Sequence, residues 1–140
     1  MSRIFWDTNL FIYLMEDAGP HAQQVVRLIE RMWERNDQLC TSTLTLGELL
    51  VKPLEKGNRD LCDKYEEVLS QHAVLIPLDD KAARIYASLR CDRSLRAPDA
   101  IQLACASRAQ VDLFITNDER LSQKDVPGIQ FVTSLERAFL

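Results

Sequence analysis

Short apolar runs alternate along this chain with longer stretches in which apolar positions recur every three or four residues. The runs at residues 3–6, 39–41, 74–76, 113–115 and 130–132 are too short for helices and rich in Ile, Val, Leu and Phe, so each predicts a buried strand. Over residues 21–36, Val25, Leu28, Ile29 and Met32 fall at i, i+3, i+4 and i+7 while Arg27, Arg31 and Arg35 point elsewhere, which predicts an amphipathic helix entered through Gly19-Pro20. Residues 61–70, 81–92 and 98–110 also read as helices, and a short one is expected over 135–139. Pro53 should end or kink the helix that carries Glu48.

Strands separated by helices imply crossover connections, hence an α/β fold whose central sheet of about five strands is mainly parallel, with helices on both faces. Such sheets bind ligands beyond the carboxyl ends of their strands, in the crevice where strand order reverses. No repeat, low-complexity tract or flexible linker divides the chain, so residues 1–140 are expected to form a single domain.

Composition changes this picture little. With 46% hydrophobic and 27% charged residues the chain reads as an ordinary globular protein. No run approaches the roughly 18 apolar residues of a membrane span, and no secretory leader precedes the first strand, so no membrane association and a cytoplasmic location are expected. Cys40, Cys62, Cys91 and Cys105 lack zinc-ligand spacing and are read as reduced, mostly buried thiols.

The net charge of −4 does not announce a nucleic-acid-binding surface. Cations nevertheless gather at Lys81, Arg84, Arg90, Arg93 and Arg96, ahead of Asp99, and at Lys52, Lys56 and Arg59, after Glu48. Two readings stand for these groups: solvated helix faces with intrahelical ion pairs, or a rim that contacts phosphates.

Candidate chemistry rests on four acids, Asp7, Glu48, Asp99 and Asp118, each at the edge of an apolar segment. Helix capping offers an explanation for each alone. Asp7 and Asp99 sit where helices would begin, and Thr45-Leu46-Gly47-Glu48 and Thr116-Asn117-Asp118-Glu119 fit the capping-box pattern. The other explanation is convergence, because Asp7 and Asp118 end strands that can meet in one crevice. Asp79-Asp80 also follows a strand and opens a helix, so position alone does not separate the two.

The motifs around these acids are more specific than their positions. Asp-Thr-Asn at 7–9, Glu48 after Leu-Thr-Leu-Gly, Pro-Asp-Ala-Ile-Gln-Leu-Ala at 98–104 and Thr-Asn-Asp at 116–118 resemble, in that order, the PIN-domain ribonucleases. The resemblance covers essentially the whole chain and is closest to the VapC-like toxins of toxin–antitoxin pairs. Leu121 departs from it, standing where many relatives have an aromatic residue.

The resemblance implies a three-layer α/β/α PIN-like fold with the first and fourth strands central and Asp79-Asp80 left outside the pocket. It implies that Asp7, Glu48, Asp99 and Asp118 are the metal-site and catalytic acids, Asp7 and Asp99 ligating directly, with Thr8, Asn9, Thr116 and Asn117 in support. Crowded carboxylates repel one another unless a cation joins them, and hard oxygen donors suit Mg²⁺ or Mn²⁺. Such an ion lowers the pKa of water and neutralises charge on a phosphodiester. The implied activity is endoribonucleolytic hydrolysis leaving a 5′-phosphate, and the implied partners are an RNA substrate, a cognate antitoxin and a second copy of the chain. No organic cofactor is implied.

His21 and His72 lie in no motif, and Trp6, Phe11 and Trp33 read as core or contact residues rather than base-stacking groups. A haloacid-dehalogenase-type phosphatase would need a second Asp where Asn9 stands, and a receiver domain would need a phosphoacceptor Asp and a Lys at later strand ends. The remaining alternative is a PIN-like module that binds RNA or protein without cleaving.

Overall fold

A computed structural model describes residues 1–16, 19–138 and 140. The elements in chain order are β1 (Arg3–Trp6), α1 (Thr8–Glu16), α2 (Gly19–Arg35), β2 (Gln38–Ser42), α3 (Thr43–Glu55), α4 (Arg59–His72), β3 (Val74–Ile76), α5 (Asp80–Leu89), α6 (Ala97–Arg108), β4 (Leu113–Thr116) and β5 (Phe131–Ser134), then a 3₁₀ turn (Leu135–Arg137). The strands form one sheet in the order β3-β2-β1-β4-β5. Every neighbouring pair is parallel, with Ile4 opposite Leu113, Phe5 opposite Phe114 and Trp6 opposite Ile115 at the centre.

The pleat of β1 divides the core in two. Ile4 and Trp6 point into a cluster with Leu10, Phe11, Val25, Ile29 and Met32 from α1 and α2. Phe5 points to the other face, among Leu103, Cys105 and Ala106 of α6 and Phe114 of β4. The Phe5 and Phe114 rings stack across the strand pair at 5.0 Å. Side chains this large and fully buried each contribute roughly 1.5–3 kcal/mol, so the two central strands are gripped from both sides. The result is the three-layer α/β/α fold, and its strand order reverses between β1 and β4.

Helix boundaries depart from the periodicity where capping decides them. The second helix takes in Gly19 and Pro20 and stops at Arg35, because Asn36 turns left-handed (φ 59°) while Asp37 N–H reaches back to the Met32 carbonyl. The sixth stops at Arg108 before left-handed Gln110 (φ 54°), and the fifth ends at Leu89 rather than at 92. Pro53 lies inside α3, which runs on only to Glu55. The last strand runs two residues past its expected end at 132, to Ser134, and the expected terminal helix is a 3₁₀ turn over Leu135–Arg137, with Phe139 outside the described residues. All four cysteines are free, and Cys91 alone is exposed. Among the described residues no helix is long and apolar enough to cross a membrane.

Candidate active site

Asp7 follows β1, and its N–H still bonds the Ile115 carbonyl (3.0 Å), so the carboxylate emerges at the carboxyl ends of the two central strands. It is buried, and both oxygens are engaged. The Thr8 N–H donates to Oδ1 (2.8 Å) and the Thr116 hydroxyl to Oδ2 (2.7 Å). Burial pushes its pKa up to about 6, the carboxylates of Asp99 and Glu48 add to the rise, and the two hydrogen bonds oppose it. Among the causes of this shift no cation appears.

Glu48 does not cap its helix. Ser42 is the N-cap of α3, accepting from Thr45 N–H, while Glu48 lies further along and accepts the Thr8 hydroxyl at 2.7 Å. Asp99 enters in the first turn of α6, a helix with no side-chain cap whose start is pre-set by Pro98. Asp118 lies past β4 in a loop that is not helical, so the capping-box reading fails there too. Its N–H donates to Thr116 Oγ1 (3.0 Å), which places Thr116 between Asp7 and Asp118.

Asn9 and Asn117 stitch α1 to the end of β4. Asn117 N–H donates to Asn9 Oδ1 (3.3 Å), and the Asn117 amide donates to the Tyr13 hydroxyl (2.7 Å). Asp79 shows what the capping explanation looks like when it holds. It is the N-cap of α5, accepts from Ala82 N–H (2.8 Å), pairs with Arg108 (3.4 Å), and follows the edge strand away from the switch point.

Two cations that motif reading passed over close the far side of the site. The Arg120 guanidinium pairs with Asp118 at 2.6 Å and lies 4.0 Å from Asp99, while Arg96 lies 3.5 Å from Asp99 and 3.9 Å from Asp118. The hydrogen bond from Arg120 is the main reason the Asp118 carboxyl lies below its usual range. In the sequence Arg96 stands out only as one of a cationic cluster, and Arg120 carries no signal beyond lying two residues after Asp118. Also missed was a buried polar group behind Glu48, formed by Gln102, Thr45, Thr41 and Ser42.

With these pairs in place, no three acidic, histidine or cysteine side chains among the described residues are arranged to hold a metal ion. The donor set nevertheless suits a hard cation: its donors are carboxylate oxygens, and Asp7 is buried with Asp99 and Glu48 near enough to raise its pKa further. His21 instead bonds Gln24 (3.1 Å), and His72 lines an apolar cleft. Trp6 and Phe11 are core residues in contact with each other, whereas Trp33 is exposed.

A doubly wound parallel sheet with carboxylates gathered at its switch point defines the class: an α/β domain with an acidic site at the carboxyl ends of its central strands. The PIN domain family model matches residues 4–127, and the chain belongs to that family. Solved structures share the fold. A chain of VapBC2 from Rickettsia felis, bound to a promoter DNA fragment, superposes with TM-score 0.73 at 14% identity, covering 94% of this chain and 98% of that one. DNA-bound VapBC from Salmonella typhimurium gives 0.73 at 19% identity (96% and 99%), and a toxin–antitoxin complex from Klebsiella pneumoniae gives 0.67 at 24% (90% and 94%). No curated protein sequence matches the chain.

Proposed function

We infer that this PIN domain is a divalent-metal-dependent endoribonuclease and the toxin of a toxin–antitoxin pair. The observation that carries the reading is Asp7: a buried carboxylate at the switch point, raised to about 6 beside Asp99 and Glu48, with both oxygens oriented by Thr8 and Thr116. A structural acid is ordinarily paired or exposed; one buried beside other acids, with its charged form disfavoured, is suited to an external cation.

Asp7 and Asp99 would hold Mg²⁺ or Mn²⁺ directly, with Glu48 and Asp118 reaching it through water or orienting the attacking water. When bound, the ion supplies an activated water and neutralises charge on the phosphoryl oxygens. The chain's own residues then have distinct tasks. Thr8 keeps Glu48 aimed, Thr116 keeps Asp7 aimed, and Arg96 and Arg120 stand where the phosphates of a bound strand would pass. No 2′-hydroxyl is needed, so the products carry a 5′-phosphate.

The solved complexes with this fold support an antitoxin as partner. The guanidinium contacts of Arg96 and Arg120 show that an arginine fits against these acids, so a cationic antitoxin side chain suits the pocket. We assign a cytoplasmic homodimer in the same reading. The test is RNA cleavage with Mg²⁺ or Mn²⁺ by the parent, Asp7→Asn and Asp99→Asn, with circular dichroism confirming folding. Cleavage lost in both folded variants supports the nuclease; variants that cleave like the parent overturn the site. RNA binding without cleavage under any divalent ion makes the domain a binding module.

A further inference from the structure

Gln102 is almost fully buried, on the face of α6 turned toward α1 and α3. Its amide donates to Thr8 Oγ1 (2.9 Å) and to Thr45 Oγ1 (2.8 Å), and its oxygen accepts from the Ser42 hydroxyl. Beyond these lie the Thr41 hydroxyl, in contact with Thr45 (2.8 Å) and the Trp6 carbonyl (2.9 Å), and the Thr8 hydroxyl, donating to Glu48 at 2.7 Å.

The hydrogens of this group can be assigned by counting. Thr41 has one hydroxyl hydrogen, which its contacts with the Trp6 carbonyl and with Thr45 Oγ1 share. The Thr8 hydrogen goes to Glu48 Oε1. The Thr8 oxygen, its hydrogen spent on Glu48, and the Thr45 oxygen 3.0 Å from it both keep lone pairs that can accept. The two N–H groups of Gln102 supply one hydrogen to each. A flipped amide would turn its oxygen toward both, so this count also sets the amide orientation.

We propose that Gln102 is a positioning residue: by donating to both Thr8 and Thr45 it fixes the Thr8 oxygen in place with its hydrogen turned to Glu48, and so holds the Glu48 carboxylate toward Asp7. Without Gln102 the Thr8 hydrogen can turn to Thr45, and Glu48, on the solvent-facing side of α3, loses its only protein hydrogen bond among the described residues. The effect is specific to Glu48 rather than to the fold. It rests on the nuclease reading for its first readout and on that reading's divalent ion alone for its second.

The experiment is a double-mutant cycle on the full chain, crossing Gln102→Met with Glu48→Gln. Single-turnover RNA cleavage and Mn²⁺ affinity by paramagnetic resonance are the readouts, with melting temperature alongside. Gln102→Met should lower cleavage or Mn²⁺ affinity by about tenfold to a hundredfold with Glu48 present, the range for groups that orient metal-site residues, and by nothing further in Glu48→Gln. Its effect on melting temperature should be the same in both backgrounds. Equal functional losses in both backgrounds, or no loss, overturn the proposal. Gln102→Leu, which also removes both donors and adds no ionisable group, replaces Met if that variant does not fold. A parent that binds Mn²⁺ without cleaving RNA defeats the nuclease reading alone, because the Mn²⁺ cycle still decides the role of Gln102; a parent that binds no divalent ion defeats both.

Discussion

The Thr116 hydroxyl donates to Asp7 Oδ2 at 2.7 Å and accepts the Asp118 N–H at 3.0 Å, so one side chain at the end of β4 orients the acid that ends β1 and the loop that carries Asp118. This contact exists because the two strands are parallel neighbours in register, Trp6 opposite Ile115. A hydroxyl suits the place, since it can donate and accept at once.

Asp7 makes the metal-free protein pH-sensitive. Its pKa rises from 3.8 to about 6 on folding, so the folded state binds more protons than the unfolded one between those values. Stability therefore falls as pH rises from about 4 to about 6 and levels off above, a cost on the order of 3 kcal/mol at full ionisation. Asp7→Asn should melt several degrees higher than the parent near pH 7.5, with the difference vanishing near pH 4. Saturating Mg²⁺ should stabilise the parent and not the variant. Calorimetric melts across pH check both.

Arg120 competes with any cation for Asp118 and Asp99. Exposed ion pairs contribute at most about 1 kcal/mol, so Arg120→Ala should tighten Mn²⁺ binding by up to about fivefold in titration calorimetry. If the proposed nuclease reading holds, the same variant should cleave RNA more slowly at saturating Mn²⁺, because it would lack the guanidinium proposed to meet the phosphates. Opposite signs in the two measurements separate this role from a structural one.

Asp79 is the control acid. Asp79→Ala removes the α5 cap and the pair with Arg108, and should lower the melting temperature by about 2–4 °C. Divalent-ion affinity and RNA cleavage should stay at parental values, measured on the same preparation.

Leu121 sits in the core with Leu95, Leu103, Val126 and Ile129, and is almost fully buried. At so buried a position, introducing a larger aromatic residue, Leu121→Phe, should destabilise by about 1–3 kcal/mol, read from urea unfolding.

Much of the fold was legible because local patterns and global packing agree. The period-2 burial of β1 and the 3.6-residue period of α2 each need the partner surfaces that the parallel sheet and its flanking helices provide. Legibility failed at ends. Asn36 and Gln110 stop helices by turning left-handed, a choice that hydrophobic periodicity does not register. Among the acids, the capping pattern around Glu48 was a false signal, since Ser42 takes the N-cap three residues earlier than the pattern requires. Gln102 left no signal of its own, because a glutamine in an apolar helix looks alike whether it is exposed or bonded on every side.

The sequence by itself determined the alternation of strands and helices, the parallel sheet it forces, and the four acids at element edges within motifs of recognisable order. These follow from short-range periodicity and from which residues terminate each run. Only the tertiary structure decided which carboxylates share a field: strand order set Asp7 beside Thr116 and left Asp79 at the edge, and packing of α6 on α3 and α1 put Gln102 behind Glu48. The physical reason is range. Side-chain periodicity acts over a few residues, whereas the bonds from Thr8 to Glu48 and from Thr116 to Asp7 join residues 40 and 109 positions apart.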